Sequence, residues 1–455
     1  MSGEVTDLYR QRLGRYQAAI AMETPDRIPL SFSVGCGAKV TGHNYQRQHF
    51  MYEPELFLEV LLELANMYPQ LDTMHPGVQW APFWDAVNSR MYRVPGRDIS
   101  PDSIHQFEEK EYMKDDEYPL FIEDPIGYKM NYYFPRALGE FDEKGSIRSH
   151  VAFLKAGLAH MMFASIMGDV RQQLVEKAGM PVAFKGAYLA PFDYISDFYR
   201  GLNGIMKDMF RQPENVIKAC EAILPYMVRR AMETADPSRE YPIFNPTHKP
   251  CFMSPKQFDT FYWPTYKKGL LMLIEAGWKV RIFLEGDWSP HWHHIAELPK
   301  GTVVCDVDNE ADIFEAKKAF GHKQCITGGI PTDMLILGDP EDIRARVKHL
   351  CETVGREGGW IPNGPGHIPE NTKPENFQAL IEATIKYGRY YEGSPPEPRT
   401  ASNNSNTAGL SEPNVITPWE VVKKENGWEV PGDEKLIKKY WDKLEQMAYN
   451  LIMSM

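Results

Sequence analysis

The chain alternates between short apolar runs that turn polar or Gly-rich at their ends and longer stretches with helical spacing. Eight such runs stand out: "RIPLSFSV" (27–34), "LDTMHPG" (71–77), "MPVAFKGAYL" (180–189), "YPIFNPT" (241–247), "KVRIFLEGD" (279–287), "TVVCDVDN" (302–309), "KQCITGGI" (323–330) and "GGWIPNGPG" (358–366). Short apolar runs bounded by turn residues read as candidate strands. Strands that alternate with helices imply parallel βα units. Eight units predict an α/β fold of the closed (β/α)8, or TIM-barrel, type.

Helix starts fit this rhythm. The stretches "SPKQFDTFYWPTYKKGLLMLIEAG", "SPHWHHIAEL" and "DPEDIRARVKHLCETVG" open with Ser254-Pro255, Ser289-Pro290 and Asp339-Pro340. A Ser or Asp side chain accepts from free N–H groups and Pro presets φ, so each pair predicts an N-cap and a first helical residue.

Two segments break the rhythm. Residues 80–145 are acidic and aromatic, with "FEEKEYMKDDEYPLFIEDP" among them, and are expected as an insertion after the second strand that caps the barrel mouth. Residues 393–414, "GSPPEPRTASNNSNTAGLSEPN", read as a linker. Beyond it Leu436, Ile437, Tyr440, Trp441, Leu444, Met447, Ala448 and Leu451 recur at helical spacing. The expected organisation is a barrel over 1–392, a linker over 393–414 and a C-terminal helical extension over 415–455. The apolar stripe of the extension would pack on the barrel or on a sister subunit of a homodimer; docking of another protein is the alternative.

Composition narrows the classes. Hydrophobic residues make up 43%, enough for a large core, which excludes global disorder. The net charge of −12, with no basic block, argues against a nucleic-acid partner. No uncharged apolar run reaches bilayer-spanning length and residues 1–27 lack the apolar core of a signal peptide, so neither a membrane span nor a secretory leader is expected. The six cysteines are scattered without a CxxC pair, which points to a reducing cytoplasm. Aromatic residues at 12% and 22 Met suit a core, and also a pocket for a flat apolar ligand.

Barrel enzymes carry their sites at strand C-terminal ends. One such end is dense in chemistry: "FLEGDWSPHWHHI" (283–295) follows the apolar run from Val280 to Leu284. Glu285 and Asp287 flank Gly286, so a continuing strand would point both to one side. Two close carboxylates raise one another's pKa, and one could then donate a proton near neutral pH. The structural alternative is that one accepts from neighbouring backbone N–H groups. His291, His293 and His294 fall in the first turn after Pro290 and read as solvated or partly packed histidines, because i and i+2 do not share a helix face. Other strand ends supply Tyr188, Asn245, His248, Trp288, Asn363 and His367 as candidates for binding or catalysis. A metal needs three or four converging ligands. Glu285, His367 and either His248 or Cys325 would have to meet from different strands, and Cys325 lies at a strand start, where core burial is expected. The Gly-rich "ITGGIPTDM" and "PNGPGH" match neither a P-loop nor a dinucleotide fingerprint.

The order of motifs resembles the uroporphyrinogen decarboxylase superfamily from about Arg27 to Tyr387. The resemblance rests on "RIPLSF", "MSPKQFDTFYWPTYKKGLLMLIEAG", "GGIPTDMLILGDPEDIRARVKHL" and, most specifically, "GGWIPNGPGHIPENTKPENFQAL". It implies a (β/α)8 barrel, in agreement with the strand count. True uroporphyrinogen decarboxylases grip their substrate's carboxylates with an Arg-bearing motif near the N-terminus. The corresponding "SFSVGCGAKVTGHNY" has no arginine, and four acidic arms need a basic pocket. The other branch comprises corrinoid-dependent methyltransferases, and the chain looks closest to the O-demethylating enzymes of anaerobes that use methoxylated aromatics. Where coenzyme M methyltransferases carry a His-x-Cys-Gly metal motif, this sequence reads Phe283-Leu284-Glu285-Gly286, and Gly366-His367 stands near the position of a further Cys. Glu285 and His367 would then be substitute zinc ligands. Loss of the thiolates argues against a thiol substrate and suits an oxygen-bound methyl donor.

The resemblance thus implies methyl transfer from a methyl ether to the cob(I)alamin of a separate corrinoid protein, since the chain has no DxHxxG corrinoid motif of its own. An ether oxygen leaves slowly unless it is protonated or bound to a Lewis acid. Glu285 and His367 are the expected residues for that task, directly or through zinc, with Asp287 tuning them. Tyr188, Asn245, His248, Trp288 and Asn363 are the expected substrate contacts, and Trp80 and Trp84 further aromatic walls. The alternatives are a decarboxylase of another acid and a non-catalytic barrel that binds a ligand or a corrinoid protein.

Overall fold

The computed structural model describes residues 3–77, 79–399 and 415–455. The expected linker falls largely on 400–414, outside the described residues. The strands are β1 (Ser31–Ser33), β2 (Thr73–His75), β3 (Tyr92–Arg93), β4 (Gln106–Phe107), β5 (Ile243–Thr247), β6 (Val280–Leu284), β7 (Val303–Val307), β8 (Cys325–Gly329) and β9 (Trp360–Asn363). β3 and β4 form a small antiparallel pair inside the 80–145 insertion. The other seven belong to the barrel.

Closure can be followed bond by bond. β1 pairs with β2 in parallel, Ser33 opposite His75. Met74 N–H donates to Pro181 O at 3.1 Å, and Phe244 N–H donates to Gly186 O at 3.2 Å, so the segment 180–189 fills the third position between β2 and β5. β5 to β9 run parallel in chain order. Ile368 N–H donates to Ser33 O and Gly35 N–H to Ile368 O, both at 2.8 Å, which returns the ring to β1. All eight apolar runs therefore occupy barrel positions, and the fold is a (β/α)8 barrel. The third run makes no continuous ladder. Pro181 has no N–H to give, and Gly186 takes φ 79°, which turns the chain out of extension.

The N-terminal helix Gly3–Ile20 seals the bottom of the barrel. Its Tyr16, Ala19 and Ile20 pack with Val304, Cys325 and Ile361 from β7, β8 and β9. Cys325 is thus core, as its position at a strand start implied. One layer higher the interior is ionic. Arg281 lies against Asp306, with Nε to Oδ2 at 2.7 Å and Nη2 to Oδ1 at 2.9 Å, and both are nearly inaccessible. Thr327 Oγ1 also donates to Asp306, and the guanidinium lies 5.7 Å from the centre of the Phe184 ring.

Ser254 caps its helix: its Oγ accepts from Gln257 N–H, and its own N–H donates to Gln257 Oε1. Ser289 instead opens a single 3-10 turn, Ser289–His291, and Asp339 stands at its N-cap without a side-chain bond. The 80–145 insertion lies over the mouth: its Asp102 and Ile104 line the mouth cavity.

The helix Ile147–Ala178, 32 residues long, follows the insertion. It is long and apolar enough, by length and composition, to cross a membrane, and only 22% of its most apolar window is buried. Single charges such as Lys155 interrupt the run without lowering its mean hydropathy enough. The helix packs on Leu56–Met67 and Ala81–Val87. The C-terminal extension forms helices Trp419–Glu425 and Glu434–Ser454. Its last turns dock on the body, where Tyr449 OH donates to Tyr226 O at 2.8 Å. Most of the predicted apolar stripe stays uncovered within the chain: Leu436, Ile437, Tyr440 and Leu444 are exposed, Trp441 and Met447 half-buried, and Leu451 buried.

Candidate active site

Two strand ends build the polar centre of the mouth. β5 runs out into His248 and Lys249, and β6 into Glu285. His248 Nδ1 lies 2.6 Å from Asp197 Oδ2, and its Nε2 faces Glu285 Oε2 at 3.8 Å. Asp197 comes from the helical turn Ser196–Arg200 that follows the third barrel segment. Its other oxygen lies 2.6 Å from Lys249 Nζ, and Lys249 also pairs with Glu109 of the insertion. Asp193, one helical turn before Asp197, holds the backbone: it accepts from His248 N–H at 3.2 Å, Lys249 N–H at 3.1 Å and Tyr262 OH at 2.7 Å.

The charges follow from this packing. Burial works against the His248 imidazolium, but the hydrogen bond and charge of Asp197, helped by Asp193 and Glu285, outweigh it and raise the group to about 9. Burial opposes the Asp197 carboxylate too, yet His248 and Lys249 hold its pKa below the usual value. Asp193 is pushed up to about 6, chiefly by burial. Burial raises Glu285 as well, against the pull of His248, and Asp308 adds to the rise. The imidazole is therefore fixed at Nδ1 by a carboxylate while Nε2 carries a proton toward the mouth.

A cavity of about 850 Å³ is lined by Phe244 of β5 and Phe283 of β6, the strands that lead to this centre, while His248 and Glu285 are not part of its lining. Phe184, Phe244, Phe283 and His75 form its apolar side, and Arg47, His367 and Glu370 its polar edge. His75 stacks on Phe184 at 3.6 Å, and Phe184 on Phe244 at 4.6 Å. Burial drops His75 to about 3, so it stays neutral. Phe283 stands on β6 two residues before Glu285, which follows the end of the strand. Volume and lining suit a flat, mostly apolar molecule.

The structure redistributes the predicted residues. Glu285 is at the mouth, but its neighbour is His248, not His367. His367 sits at the cavity edge, 3.9 Å from Glu370 Oε2. Asp287 does not share a side with Glu285. Gly286 between them takes φ 75°, which breaks the strand alternation, and Asp287 accepts from Ser289 N–H at 2.8 Å on the exposed loop. This is the backbone-capping alternative. Tyr188 and Asn245 are buried behind the sheet. Asn245 accepts from Tyr266 OH at 2.5 Å and donates to Tyr188 O at 3.0 Å, while the Tyr188 hydroxyl abuts Gly269, so close that a Cβ there would lie 2.0 Å from it. Trp288 is fully buried against Phe258 and His291. Trp84 stacks on Tyr92 at 3.8 Å and Trp80 on Phe163 at 5.7 Å, both within the cap and its supporting helix. Asn363, at the end of β9, is fully buried, and both its side-chain polar atoms lack a partner among the described residues.

Asp193, Asp197, Lys249 and Glu109 were not among the predicted residues. A signal existed for the first two: four residues apart in "FDYISDF", they share a helix face. Lys249 adjoins His248 in sequence. Glu109 could not be singled out among the many acids of the insertion.

Zinc between Glu285 and His367 finds no support in this geometry. Among the described residues, the ligand atoms of one group of three converge, those of Asp259, His293 and His294, on the outer rim.

Fold and site together define a TIM-barrel protein of an enzyme class. Residues 162–387 are similar to the uroporphyrinogen decarboxylase (URO-D) family. The match ends at Tyr387, where the resemblance read from the motifs also ends, and it takes in the three later motifs; "RIPLSF" lies before it. A solved structure of a methyltransferase from Methanosarcina mazei is similar in fold, with a TM-score of 0.52 and 17% sequence identity over 83% of this chain and 98% of that one. No curated protein matches the chain in sequence.

Proposed function

We propose that the chain transfers a methyl group from a methyl ether, most suitably a methoxylated aromatic, to the cobalt of a separate corrinoid protein. The similarity to the URO-D family and the methyltransferase neighbour support the class. The aromatic-walled cavity supports a flat donor. A reduced corrinoid supplies the nucleophile that takes the methyl carbon. The task left to this chain is to bind the ether and help its oxygen leave.

The observation that carries the reading is the Asp197–His248 pair at the end of β5. With His248 raised to about 9, its Nε2–H is a proton donor of nearly the same strength as a phenol, whose pKa is about 10. Near-matched acids transfer protons efficiently in the transition state. His248 is thus the general acid for the departing aryl oxygen. Glu285 stabilises the charged imidazole and, itself raised, can take part in returning its proton. His367, Arg47 and Glu370 orient the ligand from the cavity edge. No step needs a metal between Glu285 and His367. Six free cysteines suit a reducing cytoplasm.

The test mixes the purified protein with a reduced corrinoid protein and a panel of methoxyarenes while the cobalt spectrum is followed. Methyl-cobalt formation that depends on His248 supports the reading. No methyl-cobalt from any ether, amine or thioether donor overturns it.

A further inference from the structure

Two of the three histidines that crowd the sequence after Glu285 take part in a cluster away from the mouth. His294 is about nine-tenths buried, and each ring nitrogen faces a carboxylate: Nδ1 lies 2.9 Å from Glu297 Oε1 and Nε2 lies 2.7 Å from Asp259 Oδ1. A neutral imidazole has one N–H and can satisfy only one of them. The second contact calls for another proton or for a cation. His293 completes the cluster. Its ring centre is 4.0 Å from that of His294, and ligand atoms of Asp259, His293 and His294 all lie within 4.8 Å of one another.

The fourth residue, Glu297, is arranged as a support. Glu297 Oε2 receives Lys267 Nζ at 2.6 Å and Trp263 Nε1–H at 3.3 Å. That leaves Oε1 directed at His294 Nδ1–H. A carboxylate that fixes a histidine by one nitrogen, so that the other presents its lone pair, is the arrangement found around protein-bound zinc.

We infer that Asp259, His293 and His294 form a binding site for a single borderline divalent cation of the zinc class, with Glu297 orienting His294. Two imidazoles and one carboxylate match that class, and the exposed side leaves a position for water. Asp259 belongs to the helix that follows β5, and the two histidines to the turn that follows β6. A bound ion would therefore tie together the two βα units that deliver His248 and Glu285. Its role is structural: a pin at the rim, separate from the chemistry at the mouth.

The test uses the untagged full-length chain after chelator treatment. Cobalt(II) is titrated and followed by its visible absorption, and zinc retained after gel filtration is counted per chain. One ion per chain is expected, with a zinc-dependent rise in Tm. His293→Ala and Asp259→Asn, both at exposed side chains, should lower affinity at least tenfold and abolish the Tm rise. Glu297→Gln should weaken binding by roughly ten- to a hundredfold. No ion retained by the unmodified chain overturns the site. Retention unchanged in both His293→Ala and Asp259→Asn overturns it as well, since the ion must then sit elsewhere. These readouts do not depend on methyl transfer.

Discussion

Asp197 Oδ2 lies 2.6 Å from His248 Nδ1, and this contact fixes which imidazole nitrogen faces the mouth. His248 is raised from 6.5 to about 9. Folded and unfolded chains both carry this proton below about pH 6.5, so the contribution to stability is complete there. It is lost as pH rises through about 9. An activity that uses the proton falls over the same upper range. Asp197→Asn should move the basic limb of kcat/KM down toward 6.5 and, by proton occupancy alone, cost about thirtyfold at pH 8. A pH–rate profile checks this. An unmoved basic limb would remove His248 as the acid.

Glu285 and His367, paired in the sequence reading, should separate in their effects. Glu285 stands 3.8 Å from His248 Nε2, whereas His367 faces Glu370. Glu285→Gln is expected to lower kcat by about 10²–10⁴, the range of a lost acid–base partner. His367→Ala should act mainly on KM. Equal losses of kcat in the two variants would contradict the geometry, and steady-state kinetics with one methoxyarene decides.

Arg281 and Asp306 share the interior layer beneath the cavity. Arg281→Met leaves a buried carboxylate without its partner and should cost about 3–5 kcal/mol in denaturant unfolding. The double variant Arg281→Met/Asp306→Leu should be closer to the original chain than either single change. A double variant as unstable as the sum of the singles would mean that the two side chains are not coupled, and would overturn this account of the pair.

Tyr188 distinguishes packing from binding. Its hydroxyl is buried without a hydrogen-bond partner among the described residues, and an unmade bond of that kind costs about 1–3 kcal/mol. Tyr188→Phe should therefore raise Tm or leave it unchanged, with KM unaltered. A marked rise in KM would restore Tyr188 as a substrate contact.

The case of "FLEGD" shows where sequence legibility stops. That Glu285 ends an apolar strand was readable from five residues. That Asp287 turns away was not, because it depends on the positive φ of Gly286, which a strand pattern does not specify. The histidines behave likewise. His291 stacks on Phe258 at 4.1 Å, whereas His294 meets Asp259, thirty-five residues earlier.

The sequence by itself determined the barrel. Eight apolar runs, each with its helix, can bury their surfaces only by closing on one another, and the parallel order follows from that alternation. It also determined which strand ends hold ionisable groups. Only the tertiary structure decided the pairings. Closure sets Asp197 beside His248 and Lys249 beside Glu109, and it leaves His367 with Glu370 rather than Glu285. The physical reason is range. Burial patterns are written every two to four residues, whereas the contacts that set a proton's energy act over a few ångströms between residues fifty or more apart in the chain.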